Sequence, residues 1–124
     1  MHSGPNPVYH RDIRDPNIIK KFGEGWFLID FSDASTAPTA GVTHMKECEH
    51  SPQVRQDNHG AEVDIWGISK YMEDLASQAT CRIAKPDAVR QMAMRWREDL
   101  TTSAASALDE ITVSKYHLSI SVMH

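Results

Sequence analysis

Four side chains near the start of the sequence are of the types that phosphate and metal chemistry uses. In "HRDIRDPN", residues 10–17, Asp12 can accept a hydroxyl proton. Arg14, two residues on, can face the same side of an extended segment, and Asn17 offers an amide oxygen to a cation. Thirteen residues after Asn17 comes Asp30, at the end of the apolar run "WFLI" (26–29). A hairpin between them would return the chain close to its start, so that Asn17 and Asp30 could share one ion. A carboxylate, a fixed cation and oxygen ligands for Mg²⁺ are the parts that phosphoryl transfer requires.

The elements that must position these residues can be read from pattern. "IIKKF" (18–22) and "WFLI" (26–29) are short runs rich in aromatic and β-branched residues, separated by "GEG". Two strands joined by a short Gly-containing turn predict a β-hairpin. Residues 1–7 read as an irregular lead-in. Residues 30–60 show no sustained period and are punctuated by Pro38, Gly41, Pro52 and Gly60, which predicts a long loop. Residues 61–78 carry apolar side chains around most of a helical circumference, as a buried helix does, with Asp64 in the first turn to suit the helix dipole. Trp66, Tyr71 and Met72 are expected in the core. Pro86 opens a second helix over 86–99, with Trp96 on its apolar face. Ser103 is the expected N-cap of a third over 103–112. Residues 113–124 alternate partly and could form a strand.

Composition narrows the class. The 124 residues suit one domain, and 40% hydrophobic with 24% charged residues are ordinary globular values. Net charge is −4, with Lys and Arg scattered, so the basic stripe of a nucleic-acid-binding face is missing. Cys48 and Cys81 lie far apart and make no disulfide framework. No signal peptide and no apolar run of membrane-spanning length is visible, so a cytoplasmic or nuclear location is expected.

Five segments in order resemble the C-terminal lobe of eukaryotic protein kinases, and most closely a divergent fungal kinase-like group. "HRDIRDPN" resembles the catalytic loop H-R-D-x-x-x-x-N. "IDFSD" (29–33) stands where that family carries D-F-G, and "HSPQV" (50–54) where it carries A-P-E. "VDIWGIS" (63–69) resembles the segment opening its large buried helix, and "LTTSAASALDEI" (100–111) a stretch of its last helix. The resemblance spans residues 8–112, with 113–124 as a tail. It implies a mainly α fold with a small β-hairpin, and transfer of the ATP γ-phosphoryl group to a protein Ser or Thr hydroxyl. Asp12 would then be the base, Arg14 would stabilise charge on the transferring group, and Asn17 and Asp30 would hold Mg²⁺. His10 and Phe31 would be structural supports. Arg11 would read a phosphate placed on Ser35, Thr36, Thr39 or Thr43.

Several positions depart from that pattern. Arg14 stands for Lys, Ser32 for the Gly of D-F-G, and Gln53 and Thr101 for a Glu–Arg pair. The Gly-rich loop and strand lysine that grip ATP are missing, so the chain is expected to bind ATP poorly. The alternative expectation is a non-catalytic, pseudokinase-like fragment that binds partner proteins through its helical surface. A weaker one is a zinc module built on His44, Cys48, His50 and His59.

Overall fold

The computed structural model describes residues 1–78, 81–82, 85–113 and 121–122. Six short strands and three helices follow in order: β1 (Val8–Tyr9), β2 (Ile18–Lys21), β3 (Gly25–Leu28), β4 (Ser35–Thr36), α1 (Glu62–Ser77), β5 (Cys81–Arg82), α2 (Pro86–Glu98), α3 (Ala104–Val113) and β6 (Ser121–Val122). The strands pair antiparallel in three two-stranded ladders, β1 with β4, β2 with β3, and β5 with β6. Most of the tail expected at 113–124 lies outside the described residues. No helix among them is long and apolar enough to cross a membrane.

The hairpin forms one residue earlier in its second strand than the sequence pattern places it. Register pairs Ile18 with Leu28, Ile19 with Phe27, Lys20 with Trp26 and Lys21 with Gly25. Gly23 (φ 76°) and Gly25 (φ 108°) take left-handed conformations that a side chain would strain, which is why the turn sits there. Residues 1–7 are irregular as expected, and a short strand follows them. Val8 and Tyr9 pair with Thr36 and Ser35 of the stretch expected to be loop. That pairing joins segments 27 residues apart, and no local period announces it. The rest of 30–60 carries one 3₁₀ turn, Pro52–Arg55, capped by the Ser51 hydroxyl accepting the Gln53 N–H at 3.2 Å.

α1 and α2 pack side by side and carry the core. Ile65 from α1, Met92 and Trp96 from α2, and Ala107 from α3 form one buried cluster, with Met72 and Ile111 against it. Trp96 is buried as expected, and its Nε1–H donates to Glu110 at 2.7 Å. Trp66, Tyr71 and Met72 are only half-buried, a correction to their expected core placement, though Met72 packs against the cluster. The expected cap holds: the Ser103 hydroxyl accepts the Ser106 N–H at 3.0 Å. A second cluster, Val42, Met45, Val54 and Val63, folds the long loop onto the start of α1.

Candidate functional site

The segment 10–17 is organised from beneath by Asp64. This carboxylate is fully buried and accepts the backbone N–H of His10 at 2.8 Å and of Arg11 at 2.7 Å. A ring nitrogen of His2 approaches it at 2.7 Å. Two adjacent N–H groups reach one carboxylate because Arg11 is left-handed, with φ 70°. A non-glycine residue in that region costs on the order of 1–3 kcal/mol, which the charge-assisted bonds to Asp64 offset. Pattern reading gave Asp64 only a helix-dipole role. Its tertiary role had one legible signal, a carboxylate on a helix expected to be buried all round, where an unsatisfied charge could not remain.

Asp12, Arg14 and Asn17 are brought together. One oxygen of Asp12 accepts from Arg14 Nε at 2.8 Å and lies 2.6 Å from His50 Nε2. The other accepts from Asn17 Nδ2 at 2.8 Å, and that same amide nitrogen donates to the Asp12 carbonyl at 2.9 Å. Burial pushes the Asp12 carboxyl up, but the hydrogen bonds from His50 and Arg14 and their charges outweigh it and hold it below the usual carboxylate range. The Arg14 guanidinium is pushed up, chiefly by its bond to Asp12. His50 was grouped with zinc ligands in the sequence; its partner is Asp12 instead.

Asp30 lies near enough for its charge to be felt at Arg14, but its carboxylate turns to its own loop. It accepts from the Ser32 hydroxyl at 2.6 Å and more loosely from the Ser32 N–H at 3.3 Å. The hydroxyl, then the N–H, holds the Asp30 carboxyl below its usual range. Its backbone is left-handed (φ 59°), and the residue is exposed. The amide nitrogen of Asn17 thus faces Asp12, and one carboxylate oxygen of Asp30 faces Ser32. His10 is fully buried, with Nε2 2.9 Å from the Ile29 carbonyl and its ring edge-on to Phe31 at 4.6 Å. Arg11 reaches across to the long loop, donating to the carbonyls of Asp33 at 2.6 Å and Ala40 at 3.2 Å.

The zinc set is not assembled. His44 faces Asp33 at 3.1 Å, His59 Nδ1 faces the Gln56 carbonyl at 2.7 Å, and Cys48 is exposed. Among the described residues no group of three His, Cys, Asp or Glu side chains could hold a metal ion. Gln53 and Thr101, noted as a paired departure, bond separately, to Ser51 and to Asp99.

Comparison with known proteins corrects the family reading. No protein-family profile matches the chain, and no solved structure matches it. One curated protein that does match is Crinkler effector protein 8 of Phytophthora infestans, 38% identical over 68 residues. The match covers 51% of this chain and 11% of that protein, so the chain spans about a tenth of the relative's length. The kinase assignment drawn from short motifs, and with it γ-phosphoryl transfer to Ser or Thr, is overturned by this result. The motif residues have a structural account of their own. His10 and Arg11 anchor a turn on Asp64, and Asp12 ties Asn17, Arg14 and His50 together.

Proposed function

We propose that this chain is a protein-binding module without a chemical step of its own, docking through the β2–β3 hairpin. The observation that carries this is where the exposed apolar side chains lie. Six of the ten large exposed ones among the described residues fall within 19–31: Ile19, Phe22, Trp26, Phe27, Ile29 and Phe31. Four of them lie on the hairpin and two just after it, and a concentration of that kind marks a surface that another molecule covers, whereas single exposed apolar residues do not. The helices carry theirs singly, at Met94 and Leu108, so the hairpin and not the helical surface is the better docking element.

The hairpin register sorts these residues. Ile18, Lys20, Trp26 and Leu28 share one face, and Trp26 meets Tyr71 of α1 edge-on at 6.3 Å. Ile19 and Phe27 stand as a cross-strand pair on the other face, both exposed. Lys20 lies 5.2 Å from the Trp26 ring centre, leaving a cation beside the aromatic surface. A large aromatic or aliphatic pair on a two-stranded ribbon suits an anchor for a partner segment, since aromatic residues dominate the binding energy of such contacts.

The test is selection of a displayed random-peptide library on the purified chain. Enriched peptides are expected to bind with micromolar affinity and to lose at least tenfold on Phe27→Ser or Ile19→Ser, with circular dichroism unchanged. No enrichment, or enriched peptides indifferent to both substitutions, overturns the reading.

A further inference from the structure

The hairpin has two long sides, and they are not alike. The Ile29 N–H donates to the Asn17 carbonyl at 2.9 Å, which fixes the alternation of the β2–β3 ladder. Counting back in twos, Phe27 and Gly25 turn their backbone groups inward to Ile19 and Lys21. Trp26 and Leu28 turn theirs outward, away from β2. β3 pairs with β2 and with no other strand, and among the described residues nothing bonds the outward backbone groups of Trp26 and Leu28. Open edges of this kind recruit a further strand unless something blunts them, most often lysine or proline. β2, Ile-Ile-Lys-Lys, ends in two lysines. β3, Gly-Trp-Phe-Leu, has neither charge nor proline.

We propose, on the footing that the hairpin is the docking element, that the outer edge of β3 accepts an added strand. The occupant is an extended, antiparallel segment of a partner protein, with an apolar side chain opposite Phe27 and a carboxylate opposite Trp26. Residues directly opposite on neighbouring strands share a face, so an apolar side chain there extends the exposed Ile19–Phe27 pair into a continuous row. The carboxylate follows from Lys20. Its amine lies 5.2 Å from the centre of the exposed Trp26 ring and meets no carboxylate among the described residues. Lys21, by contrast, is already paired with Glu24 at 2.8 Å. An added strand stands two strand spacings from β2, roughly 10 Å, a gap that a lysine and a glutamate side chain span together across the ring. Antiparallel pairing lets Trp26 and Leu28 each exchange both outward backbone bonds with the segment. The main chain then supplies affinity and the two facing positions supply selectivity. The same arrangement provides the third strand that a two-stranded ribbon lacks.

The probes are synthetic peptides enriched from a displayed random library on the whole chain. Enriched sequences are expected to place Asp or Glu beside a large apolar residue. Saturating peptide is expected to slow hydrogen exchange of the Trp26 and Leu28 amides at least tenfold and to leave Phe27, already in the ladder, unchanged. N-methylation of the peptide is expected to cost at least tenfold in affinity at the residues opposite Trp26 and Leu28, and less than twofold at the residue between them. Lys20→Glu is expected to weaken acidic peptides at least tenfold with circular dichroism unchanged, and peptides carrying Lys in place of the acid are expected to recover binding to it. Peptides that lose binding to Phe27→Ser yet leave Trp26 and Leu28 exchange unchanged, or that bind Lys20→Glu as well as wild type, overturn strand addition and leave hairpin docking standing. No enrichment overturns both. Protection of the same amides that grows with protein concentration in the absence of peptide assigns the edge to a second copy of the chain and overturns the partner segment. Should Lys20→Glu fail to fold, amide exchange and the N-methyl series on wild type decide.

Discussion

Asp12 and Asp64 are two carboxylates under one turn, with opposite surroundings. Asp64 is sealed and spends its charge on backbone N–H groups, which fixes the path of the chain at His10 and Arg11. Asp12 meets side-chain donors and holds its neighbours to one another. Its carboxyl is held below the ordinary range in the folded chain, so the unfolded chain binds the proton more readily. Stability from this group is therefore complete above the unfolded value, near pH 4, and is lost as pH falls through the lower folded value. Asp12→Asn is expected to flatten the acid limb of a urea-unfolding series between pH 5 and 2.5, and to lower stability at pH 7. Asp30 and Asp99, each held down first by a hydroxyl, act in the same direction from exposed positions.

α1 approaches the candidate site through a glycine. A Cβ on Gly67 would stand 2.5 Å from the Ile13 carbonyl oxygen and 3.0 Å from the Ile13 Cβ, closer than backbone can yield without shifting. The helix needs that contact to bring Asp64, one turn earlier, under His10 and Arg11. Gly67→Ala improves helix propensity by about 1 kcal/mol, yet overpacking of this kind costs about 1–3 kcal/mol and more where backbone must move. The net expectation is destabilisation by about 1–2 kcal/mol, read from the urea midpoint, with faster exchange of the Arg11 amide. The hairpin is the opposite case. A two-stranded ribbon is marginal alone, and this one rests on α1 through Trp26 and Tyr71 while Ile19 and Phe27 on its other face are exposed.

Across the molecule, the closed core and the exposed apolar hairpin proposed for docking are different parts. The α1–α2–α3 cluster is closed, with Met92 fully buried, whereas Leu108 on α3 is 63% exposed. Met92→Ala is expected to cost about 2–5 kcal/mol, and Leu108→Ala to change stability by less than about 0.5 kcal/mol, both from urea denaturation. The long loop is fastened by small devices: the Val42–Met45–Val54–Val63 cluster, the Thr39 hydroxyl donating to the His59 carbonyl at 2.6 Å, and His50.

The sequence by itself determined the elements whose signals are local. The hairpin followed from two short runs of aromatic and β-branched residues around glycines, α2 from Pro86 and a periodic apolar face, and α3 from the cap at Ser103. The nearness of Asp12, Arg14 and Asn17 was legible for the same reason, since five residues of chain hold them together. Only the tertiary structure decided what those side chains do. His50 meets Asp12 across 38 residues and Asp64 reaches His10 across 54, and neither pairing has a period or a composition to announce it. Short motifs report residue types at fixed spacing. Whether a carboxylate faces solvent, a cation or a neighbouring imidazole depends on which distant segments fold against it.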